Sequence, residues 1–249
     1  MSRIAITLIV ISGAVCLIPR SSLAAELTPQ VVANTKGDGP DGKGNTADDT
    51  WQFWFELAHK KGHFHFLDTY STSIPKAGIP RKVTGPVASW MPNKETIEGW
   101  IYHRDWDGRF EGVWGDKKGG QVIAYPYVEK GAHSAVAVTY KVPKSGKYDI
   151  SGGLKDLQVA PKYKKHDGFD WRLEIAEGGK PVKKIGKGGP IGDGHGRPES
   201  DKFDFKGVEV QKGQLVRLVI HPRRWWGTDM TKIEAFTIAP SGTSKKSKK

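Results

Sequence analysis

The chain has 249 residues, a formal net charge of +12 and a single cysteine, Cys16. That length fits one large domain or two small ones. One cysteine excludes an internal disulfide framework, and the basic balance points to polyanionic partners.

Residues 1–24 open with Arg3, continue as an apolar run from Ile4 to Ile18, and end in the small-residue stretch Ser22-Leu23-Ala24. This is the pattern of a secretory signal, with cleavage before Ala25 or one residue later. The run is too short, and too closely followed by Pro19, for a membrane span. Export would place the protein outside the cytoplasm, as a secreted, periplasmic or cell-surface protein without a transmembrane segment. Cleavage would also remove Cys16. Setting aside Arg3, Arg20 and the tail lysines Lys245, Lys246, Lys248 and Lys249 leaves +6 on the body. An exported basic protein meets acidic polysaccharide or an anionic cell surface more readily than nucleic acid.

Residues 25–49 form an acidic, glycine-rich segment in which Asp38, Asp41, Asn45, Asp48 and Asp49 offer hard oxygen donors. Such donors suit calcium, although the spacing is not that of an EF-hand. The same composition also serves as simple soluble turns. From residue 50 to 240 strand signals dominate. The segment 50–57 (TWQFWFEL) places Trp51, Phe53, Phe55 and Leu57 on one face, and 63–67 (HFHFL) alternates again. Further alternating runs lie at 99–106, 121–128, 134–143, 146–154, 169–176, 180–186, 201–210, 214–221 and 232–239. Short period-2 runs separated by turn residues predict an all-β antiparallel sandwich. Residues 34–49, 75–99 and 186–200 read as long loops, the last glycine-rich and mobile. The tail 241–249 reads as a disordered lysine-rich end.

Several stretches carry candidate chemistry. In 221–232 (HPRRWWGTDMTK), Arg223 and Arg224 run into Trp225 and Trp226. On an extended chain neighbouring side chains point to opposite sides, so one tryptophan packs and the other faces out. Exposed indoles stack on the apolar faces of sugar rings, and arginine forks suit carboxylates or sulfates. The bland alternative is a sandwich cap with snorkelling arginines. Trp106 and Asp107 sit in an Asp-Trp-Asp-Gly turn, and Trp171 follows a second acidic turn; each is a candidate ligand contact. His59, His63 and His65 cluster, but no fourth zinc ligand stands in a telling position. No nucleophile elbow or phosphate-binding glycine fingerprint is present, so no catalytic residue is assigned.

The order of 135–158 (AVAVTYKVPKSGKYDISGGLKDLQ), 166–175 (HDGFDWRLEI), 210–222 (VQKGQLVRLVIHP) and 228–239 (TDMTKIEAFTIA) resembles the galactose-binding-like jelly-roll modules of secreted bacterial proteins. Upstream, 98–114 and 125–140 resemble the earlier strands of such modules, so the likeness spans roughly residues 98 to 239. The resemblance implies a jelly-roll carbohydrate-binding module, in a group whose members often carry a structural calcium. Asp167, Asp170 and Asp229 are the residues a calcium could use if their loops converge. The leading expectation is therefore an exported, non-catalytic module that binds carbohydrate, with an anionic polysaccharide or cell-surface glycan as partner. The alternatives are a jelly-roll polysaccharide lyase or glycoside hydrolase, and a structural or adhesive surface protein held by its lysine tail.

Overall fold

The computed structural model describes residues 24–28, 31–32, 45, 47–56, 62–67, 69–71, 87–91, 112–116, 121–129, 132–157, 168–192, 199–223 and 231–242. Within them the chain forms β1 (Ala25–Glu26), β2 (Trp51–Glu56), β3 (Phe64–Phe66), β4 (Thr69–Ser71), β5 (Val87–Met91), β6 (Gly112–Asp116), β7 (Gln121–Tyr125) and β8 (Tyr127–Glu129). There follow β9 (Ala132–Lys141), β10 (Gly146–Asp156), β11 (Phe169–Glu177), β12 (Lys180–Ile191), β13 (Ser200–Val210), β14 (Leu215–Pro222) and β15 (Thr231–Pro240).

The strands form two antiparallel sheets. One runs β13-β10-β15-β7-β6-β5-β4, with β1 added on β15; the other runs β12-β11-β14-β9-β2-β3, with β8 added on β9. From β9 to β11, and again from β12 to β15, the chain passes repeatedly from one sheet to the other. The result is the antiparallel β-sandwich that the alternation predicts.

The core lies between the sheets and follows from that alternation. On β11, Phe169, Trp171, Leu173 and Ile175 point inward; on β14, Val216, Leu218 and Ile220 do so. The opposite sheet contributes Ile150 and Leu154 from β10, Phe203 from β13, and Ile233, Phe236 and Ile238 from β15. Aromatic rings join the layers. Trp171 lies 5.0 Å from Phe203, and Phe236 sits edge-on to both Trp51 and Phe203 at 5.8 and 6.0 Å. Such tilted and edge-on pairs add to the burial of their large apolar surfaces.

Two expected loops contain strands. Residues 87–91, inside the proline-punctuated stretch 75–99, form β5 and pair with β6. Residues 186–191, read as the start of a mobile glycine-rich loop, continue β12 along β11. The glycines there are packing positions. A Cβ on Gly186 would run into the Phe205 ring, and one on Gly188 into Trp171 and Asp201. A glycine in a strand of this kind marks close approach rather than a break. The strand candidate at 99–106 lies outside the described residues.

Candidate functional site: a charged groove on the outer face

The residues that alternate away from the core on β2, β9, β11 and β14 build the outer face of the seven-stranded sheet. On β2 these are Gln52, Trp54 and Glu56; on β9, Ala135, Ala137 and Thr139; on β11, Asp170, Arg172, Glu174 and Ala176; on β14, Leu215, Arg217, Val219 and His221. Every residue of β2 is buried, so this face is covered in part as well. The cover is β3. Phe64 packs with Trp54, Ala135, Ala137, Ala176, Leu215 and Val219 in a second apolar cluster, and Phe66 stacks on Trp54 at 3.8 Å. Asn45 fastens this strap. Its side-chain amide donates to the carbonyls of Phe53 and Leu67, and its carbonyl oxygen accepts from the Phe53 N–H at 2.7 Å.

Beside the strap lies a chain of ion pairs. Glu174 stands directly opposite Arg217 across β11 and β14. Nε and Nη2 of Arg217 both lie 2.7 Å from Glu174 Oε1, and the guanidinium also donates to the Gly179 carbonyl at 3.3 and 3.4 Å. Arg172 Nε donates to Glu174 Oε2 at 2.9 Å, and its Nη2 to Glu56 Oε1 at 3.2 Å. Glu56 also accepts from the Gly62 N–H and faces His221 Nε2 at 3.6 Å. Between β2 and β11 lie β9 and β14; the β9 side chains here are the small Ala135 and Ala137, which leaves room for Glu56 to reach His221 on β14 and to meet the long side chain of Arg172 from β11 beyond it. Arg217 is fully buried. Burial pushes its guanidinium below the ordinary arginine range, and Glu174 opposes that shift.

Where the strap ends, the face opens into a groove of about 1020 Å³. Its floor includes Glu56, Arg172, Glu174 and His221, and its wall is β12, with Val182, Lys183, Lys184 and Lys187. Val182, 51% exposed, is the one large apolar side chain left in solvent among the described residues. The groove therefore combines fixed polar groups on rigid strands with flexible cations and a small apolar step.

Of the ligand-contact and calcium candidates between residues 106 and 229, Asp170, Trp171 and Arg223 fall within the described part. Asp170 lines the groove, with its Oδ2 3.8 Å from Arg223 Nε. Nη1 of Arg223 is buried without a hydrogen-bond partner among the described residues. Trp171 borders the groove, but its ring belongs to the core at 4% exposure and donates its Nε1–H to Asp201 at 2.8 Å. It offers no open ring face for stacking. Trp106, Asp107, Arg224, Trp225 and Trp226 lie outside the described residues, as do Asp167 and Asp229. No group of three or more His, Cys, Asp or Glu side chains converges among the described residues. Asn45, counted with the acidic loop as a calcium donor, has its amide committed to β2 and β3, while Asp48 faces Lys141 at 3.7 Å. The described residues thus offer no calcium cradle, and no role is derived for a metal.

Sequence reasoning missed the floor of the groove. Arg172, Glu174 and Arg217 stand at alternate positions in otherwise apolar strands, which marks them as one-faced. That they meet one another, and Glu56 from a strand far away in sequence, depends on sheet order and register.

Fold and groove together define an all-β sandwich with a charged outer-face groove. No protein-family model matches the chain, and no curated protein matches it. Among solved structures, similar β-sandwiches include carbohydrate-binding modules and adhesin domains. One is the TmCBM61 module in complex with β-1,4-galactotriose, 13% identical, covering 49% of this chain and 70% of that one, TM-score 0.32. Another is the CBM36-1 domain of a multidomain xylanase from the hindgut metagenome of Trinervitermes trinervoides, 13% identical, covering 47% and 86%, TM-score 0.25. A third is the K1 cleaved adhesin domain of Lys-gingipain from Porphyromonas gingivalis W83, 9% identical, covering 88% and 99%, TM-score 0.32.

Proposed function

We propose that this is an exported, non-catalytic carbohydrate-binding protein that holds an anionic polysaccharide in the groove beside β12. The observation that carries the reading is the groove itself: an open trough with a rigid floor of arginine, carboxylate and histidine groups. Polar groups held by strands and by one another keep their geometry, and such preorganisation favours binding a ligand rich in hydroxyls. Val182 supplies a small apolar surface for a sugar's C–H face. Lysines on the wall favour a chain bearing negative charge. Arg223, which faces the groove residue Asp170, precedes in sequence the Arg224-Trp225-Trp226 stretch expected to stack on sugar.

The test is a glycan panel of neutral and acidic polysaccharides, read by affinity electrophoresis and calorimetry. Saturable binding to one polymer class is expected, weakened by Arg172→Ala and by Trp225→Ala or Trp226→Ala. Failure to bind any glycan removes the proposal. Release of reducing ends or unsaturated products from the panel would replace it with the enzymatic alternative.

A further inference from the structure

Building on the carbohydrate-binding reading, we infer that Lys184 and Lys187 form a paired anion subsite that reads ionised groups along the interior of an acidic glycan chain. The floor of the groove is internally saturated. Arg172 is held by Glu56 and Glu174, and Arg217 by Glu174 and the Gly179 carbonyl. Glu56 and Glu174 offset Arg172 and the buried Arg217, and Asp170 at the groove's edge faces Arg223, so the floor itself offers a ligand no surplus positive charge. The surplus stands on the wall. In the β11–β12 register, Lys184 is opposite Glu174 and Lys187 is opposite Arg172. Glu174 is already committed to both arginines, and among the described residues neither lysine has an ion-pair partner. Lys187 facing Arg172 is a like-charge cross-strand pair, an arrangement that weakens a sheet unless an anion lies between. An ionised group of a ligand in the groove would supply that anion.

Two further features shape the ligand. A bulge in β12 takes up Ile185, so the two lysines stand opposite residues two apart on β11, a backbone spacing of about 7 Å. Lysine side chains reach beyond that spacing, so the pair suits a polymer whose ionised groups recur on neighbouring sugars or on every second one. Lysine ammonium groups, unlike arginine forks, accept carboxylate and sulfate alike as point charges. Lysines also guard exposed sheet edges against pairing, and β12 is the edge strand here. Edge protection requires charge but no ligand, and binding measurements separate the two roles.

The experiment compares the protein, Lys184→Ala/Lys187→Ala, and a control, Lys202→Ala/Lys212→Ala, which loses the same charge at exposed positions that do not line the groove. Each is titrated with a polyuronate, a sulfated polysaccharide and a neutral glucan, and each is checked for an unchanged unfolding midpoint. The inference expects binding to an acidic polymer to weaken about tenfold in the groove pair and less than about threefold in the control. The stronger of the two acidic ligands identifies the ionised group. Equal losses in both pairs, or unchanged binding in the groove pair, would overturn the subsite. Tight binding to the neutral glucan alone would overturn it while leaving the carbohydrate reading intact. Binding to none of the three, nor to the wider panel, would remove both.

Discussion

The guanidinium carbon of Arg217 lies 3.8 Å from the ring centroid of Phe64, so a fully buried cation on β14 carries the strap formed by β3. Arg172 approaches the same ring at 5.6 Å. A desolvated cation over an aromatic face contributes about 2 kcal/mol. Arg217 therefore links the ion network of the floor to the apolar cover of the outer face. Removing it leaves Glu174, itself buried, with one guanidinium instead of two.

Arg217→Ala is accordingly expected to destabilise the fold by roughly 3–5 kcal/mol, the usual cost of breaking a buried pair from one side. Arg217→Met combined with Glu174→Leu should lose less, because no buried charge is left without a partner: Arg172 loses Glu174 but keeps Glu56. Urea denaturation of the three proteins measures this directly. A double variant less stable than Arg217→Ala would show that the network contributes more than the mutual neutralisation of its members.

Trp171→Phe tests where that indole acts. The Nε1–H donates to Asp201 Oδ2, and the ring packs on Phe203 between the sheets. Phenylalanine keeps part of the packing and removes the hydrogen bond. A loss of about 1–2 kcal/mol is expected from the missing donor and the smaller ring. Glycan affinity should remain within about twofold of the unsubstituted protein, since the ring face is enclosed. A large drop in affinity with little loss of stability would return Trp171 to the binding surface.

The alternation of apolar residues by itself makes the inward faces of β2, β9, β11 and β14 legible. Phe53, Val138, Leu173 and Leu218 stand where period 2 puts them, whereas on β15 a left-handed Ala235 (φ +49°) shifts the alternation, so that Phe236 turns inward three residues after Ile233. Other features are hidden from the sequence for physical reasons. Gly186 and Gly188 read as loop residues because the groups that fill their missing side-chain space, Phe205, Trp171 and Asp201, come from other strands. Trp171 reads as a ligand platform because its partner Asp201 lies 30 residues away. The groove is unreadable for the same reason. Glu56 and Arg172 are 116 residues apart, and only sheet order, with β9 and β14 between them and the small Ala135 and Ala137 on β9, brings them together.

Two glycines separate backbone strain from steric exclusion. Gly213 has φ +84° and open space around its missing side chain, whereas Gly168 has φ +75° and the carbonyls of Ile191 and Gly192 where a Cβ would stand. Gly213→Ala should cost about 1–2 kcal/mol from the left-handed backbone alone. Gly168→Ala adds an overlap with backbone that cannot rotate away, for a total of roughly 2–5 kcal/mol. Thermal unfolding of both variants measures the difference. Equal losses would mean that the 168–192 contact yields easily.

Stability should fall at both ends of the pH scale, through different residues. Asp149 Oδ1 accepts from the Ser241 hydroxyl at 2.6 Å and from the Gly207 N–H at 3.0 Å. The Ser241 bond first, then the Gly207 bond, holds this carboxyl below its ordinary range. A carboxyl lowered on folding binds fewer protons in the native state than in the unfolded one. Its contribution is complete above the unfolded pKa near ~3.9 and is lost as pH falls through the folded value. At the other end, burial raises the phenols of Tyr140 and Tyr148, with Tyr148 adding to the shift at Tyr140 and the Lys144 carbonyl opposing the one at Tyr148. An unfolded tyrosine ionises near ~10 while the folded one stays neutral, so this contribution declines as pH rises above that value. Urea midpoints across the pH range should thus drop below about 4 and above about 10. Asp149→Asn keeps an acceptor oxygen without the charge and should flatten the acid limb while leaving the alkaline limb unchanged. Tyr148→Phe should do the reverse, with a loss at neutral pH from the bond to the Lys144 carbonyl. An acid limb identical in Asp149→Asn and the unsubstituted protein would move the acid sensitivity to other carboxylates.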